Sequence, residues 1–435
     1  MPRTQASSVP VVHIPKEKSA TERSGLYKRA THCRACQSKH MVSIVDLGEQ
    51  ALTGVFPDAS AEDPPSGPLE LLFCPDCTLV QLAHEYQSDV MYGDNYGYRS
   101  GLNQSMVNHL ADKVHLLCQQ ANVQSGDWVL DIGSNDGTTL ASYTVENLNR
   151  VGIDPTSRKF RQYYPDDIHV VSDFFSADAF RSVAGERKAM LVTSIAMFYD
   201  LPDPIGFASD INEILADDGV WHFEQSYMPG MLRLNSYDTI CQEHLLYYSL
   251  HSVKFILDHA GFKILDLSFN DTNGGSFAVS AIKQSNPRTC HDELIDWVLE
   301  SEETTGITRA DVFLTFNDRV RVQTEMFIGL LERLRSRKRT VIGYGASTKG
   351  NVILQYANID TSLVNAIAEI NPDKFGCVTP QTRIPIISDT EARKLKPDYF
   401  VVFPWHFRHD ILRREQEYLR GGGHFIFPLP ETEVV

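Results

Sequence analysis

Residues Trp128–Leu140 read WVLDIGSNDGTTL, and this stretch decides the fold. Val129, Leu130 and Ile132 make a short apolar run of buried-strand character. Gly133, Ser134, Asn135, Asp136 and Gly137 are small or turn-forming, and a helical pattern follows. A strand, a tight glycine turn and a helix open a doubly wound α/β sheet. Such a turn brings backbone N–H groups and a helix N-terminus close to a ligand. The dinucleotide fingerprint G-x-G-x-x-G is absent, because the positions read G-S-N-D-G. Asp154, in VGIDP, ends what reads as the next strand, where an acid can accept from both ribose hydroxyls of a nucleoside. Together these features predict a site for S-adenosylmethionine (SAM) rather than NAD. Asp131, Gly133, Ser134, Asn135 and Gly137 would come from the turn, and Asp154 would hold the ribose. Asp173, after the third strand, can accept from the adenine amine, with Phe174 beside it. As a lone carboxylate it serves equally well as a helix cap.

Outward from this turn, residues 105–270 alternate between strand and helix patterns. Strands are predicted at 128–132, 150–154, 168–172, 190–195, 219–224 and 263–267, with helices such as Asn103–Gln120 and Pro204–Ala216 between them. This is βαβ alternation, hence a mainly parallel sheet covered on both faces. A second unit of the same plan begins at Thr340, where TVIGYGASTKGNVILQY carries Gly343, Gly345 and Gly350. Ser347, Thr348 and Lys349 fall at its helix start, and amides plus a lysine there suit a phosphate. The order is not that of a P-loop, and such a turn can be purely structural. The later segments VNAIAEINPDKFG, IPIIS, DYFVVFPWHF and HFIFPLP supply more strand and turn signals. Two nucleotide-type folds result, one for SAM and one for a diphosphate-bearing substrate, with a cleft between.

Cys33-x-x-Cys36 and Cys74-x-x-Cys77 flank an intervening 37 residues. Two C-x-x-C pairs supply the four thiolates of a tetrahedral zinc site, which is structural because it leaves no open position. The predicted organisation is a disordered segment 1–29, a zinc module 30–90, a SAM domain 91–285, a helical connector 286–338 and a Rossmann-like substrate-binding domain 339–435. A chain of 435 residues is too long for one core. The formal charge of −16, with no long basic run, argues against a nucleic-acid partner. No apolar run reaches membrane length, the N-terminus lacks a secretory h-region, and eight cysteines in so long a chain suit a reducing cytoplasm.

Two stretches carry candidate chemistry. MYGDNYGYRSGLNQSM, residues 91–106, clusters Tyr92, Tyr96 and Tyr98 beside Arg99 and Ser100. HFEQSYMPGMLRLNSYDTICQEHLLYYSL, residues 222–250, gathers Glu224, Gln225, Tyr227, Asn235, Tyr237, Asp238, Glu243, His244, Tyr247 and Tyr248 just after a predicted strand. A histidine can take a carbon-bound proton when a carboxylate orients it and water is excluded. Glu243 adjoins His244, so Asp238 or Glu224 is the expected orienting acid. Tyr96, Tyr98 or Asn235 could donate to a developing enolate oxygen.

From about residue 30 to 430, the order of motifs resembles the sugar C-methyltransferases, which methylate keto intermediates of nucleotide-activated deoxysugars. The motifs are the paired C-x-x-C module, VLDIGSNDGTTL, YDTICQEHLLYYSL, NGGS, GYGASTKGN, EINPDKFG, IPI and FPWHF. The resemblance implies a zinc module, a central class I SAM domain and a C-terminal Rossmann-like domain. It implies His244 as the base, Glu243 beside it and a tyrosine of the 96–98 pair in the pocket. Asn235, Tyr237, Tyr247, Asn273, Gly345, Ser347, Lys349, Asn371 and His406 would contact the substrate. Three places depart from the family's pattern. Cys241-Gln242 replaces a Tyr-His pair, Tyr199-Asp200 stands where a histidine is usual, and His406 replaces an asparagine. The implied reaction is α-deprotonation of a nucleotide-linked keto-sugar and methyl transfer to carbon, by a monomer or homodimer. The departures leave open methyl transfer to oxygen or to a non-sugar acceptor. A third reading, a zinc-containing assembly protein with vestigial Rossmann units, is opposed by the intact SAM turn.

Overall fold

The computed structural model describes residues 26–87 and 99–435. The N-terminal part holds strands β1 (Tyr27–Arg29), β2 (Val42–Ala51), β3 (Ser66–Phe73), β4 (Val80–Leu82) and β5 (His84–Tyr86). Tyr27–Arg29, expected in the disordered lead, instead pair antiparallel with β5, which satisfies their backbone groups. β2, β3 and β4 form an antiparallel sheet. Leu69, Leu71 and Phe73 alternate along β3 and are buried, as the two-residue strand period requires.

The central part contributes β6 (Trp128–Ile132), β7 (Asn149–Ile153), β8 (His169–Val171), β9 (Ala189–Ile195), β10 (Leu215–Ser226), β11 (Leu246–Tyr247), β12 (Phe262–Asn270) and β13 (Ser276–Lys283). Seven of these form one sheet in the order β12-β13-β10-β9-β6-β7-β8. The strands from β10 through β8 run parallel, and β13 is reversed against both neighbours. Strand order reverses between β6 and β9, which places the ligand crevice at their C-terminal ends. β10 runs past its expected end at 224 and carries Gln225 and Ser226 to that edge. β11 leaves the central sheet and pairs with β4, so the histidine block backs onto the N-terminal module.

Helices Asp292–Thr305 and Ala310–Ser336 connect to the last part. Phe313, Phe316, Val320, Phe327 and Leu331 line the buried face of the second helix at helical spacing. The C-terminal strands are β14 (Val341–Tyr344), β15 (Ile367–Glu369), β16 (Ile386–Ser388), β17 (Tyr399–Val402), β18 (His424–Phe427) and β19 (Glu433–Val434). Their order, β16-β15-β14-β17-β18-β19, repeats the doubly wound plan with its reversal between β14 and β17. One hydrophobic core runs through all three parts. None of the described helices is long and apolar enough to cross a membrane.

Candidate active site

The two C-x-x-C turns are built alike. Cys33 N donates to Ser38 O at 2.8 Å and Gln37 N to Cys33 O at 3.0 Å. Cys74 N donates to Leu79 O at 2.9 Å and Thr78 N to Cys74 O at 2.8 Å. Gln37 and Thr78 take matching left-handed φ values of 59° and 61°. Each turn thus presents two thiols to one point, and the four sulfurs of Cys33, Cys36, Cys74 and Cys77 lie within 4.8 Å of one another. Four soft ligands at tetrahedral spacing, with no open position, fit a structural zinc ion.

At the switch point of the central sheet, Asp131, Gly133, Ser134, Asn135, Asp154 and Phe174 line a cleft. Gly133 (φ 70°) has no room for a side chain, because a Cβ would meet Met197 Cγ at 2.9 Å. Asn135 N donates to Asp154 Oδ2 at 2.8 Å, and Thr156 gives Oδ1 its amide at 2.5 Å and its hydroxyl at 2.6 Å. Asp154 therefore clamps the turn, and its Oδ2 keeps a lone pair for a further donor such as a ribose hydroxyl. Burial raises the Asp131 carboxyl to about 7 despite a 2.6 Å bond from Thr193 Oγ1. Two expected ligands serve local structure instead. Gly137 (φ 79°) starts helix Thr138–Ala141 against the Tyr164 ring. Asp173 is exposed and accepts from Phe174 N at 2.7 Å, and the helix that follows is capped by Ser176 rather than by Asp173.

Ser100 N and Gly101 N donate to Asn135 Oδ1 and Asp136 Oδ2, both at 3.0 Å. The end of the tyrosine-rich stretch thus docks on the SAM turn. Tyr96 and Tyr98 themselves lie outside the described residues. At the far wall, Glu224 accepts from His109 Nε2 at 2.6 Å, Lys113 Nζ at 2.8 Å and Asn270 Nδ2 at 2.9 Å. Burial opposes its charge, but these partners bring the carboxyl down to about 2.

A smaller cavity adjoins the cleft through Tyr199 and Ser226, which line both. His244 lies here among Tyr227, Met231, Thr239 and Tyr247. Its Nδ1 is 3.0 Å from Thr239 O. A carbonyl only accepts, so Nδ1 carries the hydrogen and Nε2 the lone pair. The Tyr199 ring packs on the imidazole with centroids 4.3 Å apart. Burial, then the Lys349 charge, lowers the pKa to about 4 against the Thr239 bond, so the ring is neutral at pH 7. The expectation of an orienting carboxylate is corrected here. Asp238 takes Trp405 Nε1 at 2.8 Å and Glu224 is held as above, so the backbone carbonyl orients the ring. Glu243 is half-buried beside Gly54, where a Cβ would collide with its Oε1. Its Oε2 has no partner among the described residues, and burial raises its pKa.

Gln242 is the tie between parts. Its Oε1 accepts Thr53 Oγ1 at 3.0 Å, and its Nε2 donates to Gln50 O at 3.2 Å. Asn351 Nδ2 donates to Thr53 O at 2.7 Å, and Gln355 exchanges bonds of 2.8 and 3.2 Å with the Ala51 backbone. Residues 50–54 of the zinc module are thereby stapled to both larger parts.

The C-terminal glycine turn makes several bonds within the protein. Ser347 caps helix Thr348–Tyr356 through Gly350 N at 3.0 Å. Ala346 gives its N–H to Glu369 Oε2 at 2.8 Å and takes Lys374 Nζ on its carbonyl at 2.7 Å. A Cβ on Gly345 would meet Pro404 Cδ at 2.9 Å. Lys349 and His406 instead reach towards the central domain. Lys349 Nζ and His406 Cβ lie 3.8 and 3.6 Å from where a Cβ on Gly274, in the NGGS turn, would stand. Only the backbone of Asn273 is described.

Three other expected substrate contacts are engaged elsewhere. Asn235 donates to Pro430 O at 3.2 Å and accepts Arg319 Nε at 3.0 Å, and it lines neither cavity. Tyr237 is buried and receives Thr324 Oγ1 at 3.4 Å. Asn371 caps a short turn through Asp373 N at 3.1 Å. Sequence reasoning missed Gly54 and gave Gln225 no role. Nothing in LTGVFP flags Gly54, whereas Gln225 could have been singled out as a polar residue ending a buried strand.

Three family models match successive parts of the chain. They are a zinc binding domain over 33–92, a methyltransferase domain over 103–267 and a C-methyltransferase C-terminal domain over 271–430. The chain is 28% identical over 411 residues to the C-methyltransferase NovU of Streptomyces niveus, covering 93% of this chain and 96% of that protein. The chain is a SAM-dependent C-methyltransferase. As a C-methyltransferase it uses SAM, and its four cysteines hold zinc. Among solved structures it is similar to a SAM-dependent methyltransferase from Clostridium acetobutylicum, with 14% identity, 41% of this chain, 92% of that one and a TM-score of 0.32. It is also similar to the Burkholderia thailandensis 1,6-didemethyltoxoflavin N1-methyltransferase, with 14% identity, 40% of this chain, 78% of that one and a TM-score of 0.32.

Proposed function

We propose that the C-methyltransferase acts on a nucleotide-linked keto-deoxysugar, with His244 removing the proton beside the ketone. The observation that carries this reading is the Nδ1–Thr239 bond, which leaves a neutral, shielded Nε2 in a cavity joined to the SAM cleft. Bound SAM supplies an electrophilic methyl group. Carbon attacks such a methyl only after deprotonation, so the protein's task is to make an enolate. Nε2 of His244 takes the α-proton, help worth typically ~10²–10⁴-fold. Glu243, half-buried beside it, is the second titratable group of the pair. Lys349 and His406 lie against Gly274 of the NGGS turn, and the lysine charge suits the substrate's diphosphate.

A bound diphosphate offsets the Lys349 charge that lowers the His244 pKa. Substrate binding would therefore strengthen the base that acts on it. The reading places the enzyme in the cytoplasm, as a monomer or homodimer. A screen of nucleotide keto-sugars with SAM, read by mass and by NMR of the product, tests it. The expected product carries a new C–CH₃ group beside the former ketone. An O–CH₃ product, or turnover confined to non-sugar acceptors, would replace this reading with the alternative of oxygen or non-sugar methylation.

A further inference from the structure

Gln225 is 1% exposed, and neither its Nε2 nor its Oε1 has a hydrogen-bond partner among the described residues. It also lines the SAM cleft, between Glu224 and Ser226 at the end of β10. An amide buried without partners is costly, about 1–3 kcal/mol for each unpaired group. Native structures retain such groups where a ligand completes them. Gln50 is likewise buried and unpaired, but it sits in β2 and does not line the cleft.

We infer that Gln225 is the amide that binds the acceptor's carbonyl oxygen, donating from Nε2 as that oxygen gains negative charge. The inference rests on the proposed enolate chemistry and adds a donor to it. Three positions support the assignment. Gln225 lines the cleft one residue before Ser226, which with Tyr199 lines both the cleft and the His244 cavity. Asn235, the amide expected for this role, bonds to Arg319 and Pro430 and lines neither the cleft nor the His244 cavity. Glu224 on the adjoining position is ionised and only accepts, so it cannot stabilise an oxyanion. The proton leaves the substrate carbon for His244, and the electron pair moves to the carbonyl oxygen at Gln225 Nε2. It returns to carbon as the C–CH₃ bond forms and the sulfonium's S–CH₃ bond breaks, whose pair stays on the sulfur of the departing S-adenosylhomocysteine. A neutral amide suits this traffic, because it donates across the working pH range without titrating.

The test compares wild type with Gln225→Met and Gln225→Glu, using the acceptor that wild type methylates best. Methionine keeps the shape and removes both polar atoms. Loss of one preorganised oxyanion donor costs about 10²–10³-fold in turnover. We expect that loss in kcat for Gln225→Met, with SAM affinity by calorimetry within about twofold of wild type. The ligand-free Gln225→Met protein should melt at or above the wild-type temperature, because an unpaired amide has been removed from the interior. Gln225→Glu, which places an acceptor where a donor is needed, should be slower still. Wild-type kcat in Gln225→Met would overturn the inference. So would a fall in SAM affinity that accounts for the lost rate, which would make Gln225 a cofactor ligand. A lowered melting point with unchanged kcat would make it a structural residue. If wild type methylates no keto-sugar, the proposed function fails, and that outcome is separate from all of these.

Discussion

The two doubly wound units of this enzyme carry the same latch and use it differently. In the central unit, Asp154 at the end of the second strand accepts Asn135 N from the glycine turn. In the C-terminal unit, Glu369 at the end of its second strand accepts Ala346 N from its glycine turn at 2.8 Å. In both, the carboxylate offsets backbone donors that the tight turn leaves unpaired. The difference lies on the other side of the turn. Ser134 and Asn135 face an open cleft, whereas Ala346 O is taken by Lys374 and Gly345 is packed by Pro404. Lys374 Nζ also lies 4.3 Å from the centroid of the Phe56 ring, which comes from the zinc module. A glycine turn with an acid on the next strand is therefore a folding device first. It becomes a nucleotide site only where the fold leaves its outer face open.

Breaking the piece that joins the two units should have the largest effect. Residues 50–54 bond to Gln242 on one side and to Asn351 and Gln355 on the other. Metal binding and folding are coupled in thiolate sites. Cys74→Ser should drop zinc below one equivalent and abolish turnover, while SAM still binds to the central unit. A full equivalent of zinc with normal turnover would show that the module does not set the cleft.

Removing each latch separates its two uses. Asp154→Asn should lower stability by roughly 2–4 kcal/mol, because a charged acceptor of three donors is lost, and should weaken SAM at least ~tenfold. The turn-holding bonds of Asp154 come in addition to the ribose role expected from the sequence. Glu369→Gln should lower stability comparably and leave SAM affinity unchanged. If Glu369→Gln weakened a nucleotide-linked substrate as strongly as Asp154→Asn weakens SAM, both turns would be ligand sites and the contrast would fail.

Lys349 sharpens the comparison at intermediate scale. The base acts deprotonated, so rate rises with pH through the His244 pKa. In the free enzyme that value is about 4, set by burial and then by Lys349, and the kcat/KM profile should show it. In the complex a bound diphosphate offsets the lysine, so the kcat limb should lie at higher pH. Lys349→Ala should raise the free-enzyme value, shrink the gap between the two profiles and raise KM several-fold. Identical limbs in wild type would mean that no anion reaches Lys349.

The smallest effect belongs to Gly54, whose missing Cβ leaves room for the Glu243 carboxylate. Gly54→Ala should lower kcat about two- to threefold by displacing that group, with SAM affinity unchanged. In a Glu243→Ala background the same change should cost nothing further. An undiminished penalty there would place the effect elsewhere.

Much of this was legible in the sequence because short-range physics writes it. The apolar runs at Val129–Ile132 and Val341–Gly343, the turn glycines and the C-x-x-C spacing each declare local structure. The roles of polar side chains were harder to read, since they depend on which distant backbone they meet. Asn235 reads like a site residue, yet it ties Arg319 to the Pro430 carbonyl. Gln242 reads as a loss beside Glu243, yet it joins the zinc module to the segment that carries His244. The carbonyl of Thr239 that orients His244 has no sequence signal, because every residue carries one.

Proton exchange in heavy water tests the central claim most directly. Enzyme is mixed with the keto-sugar nucleotide and S-adenosylhomocysteine, so no methyl group can move. The account predicts that the hydrogen beside the ketone washes out to deuterium with wild type. It predicts no exchange with His244→Ala, although that variant binds SAM normally. Exchange at the wild-type rate by His244→Ala would contradict the account and remove His244 from the proton transfer.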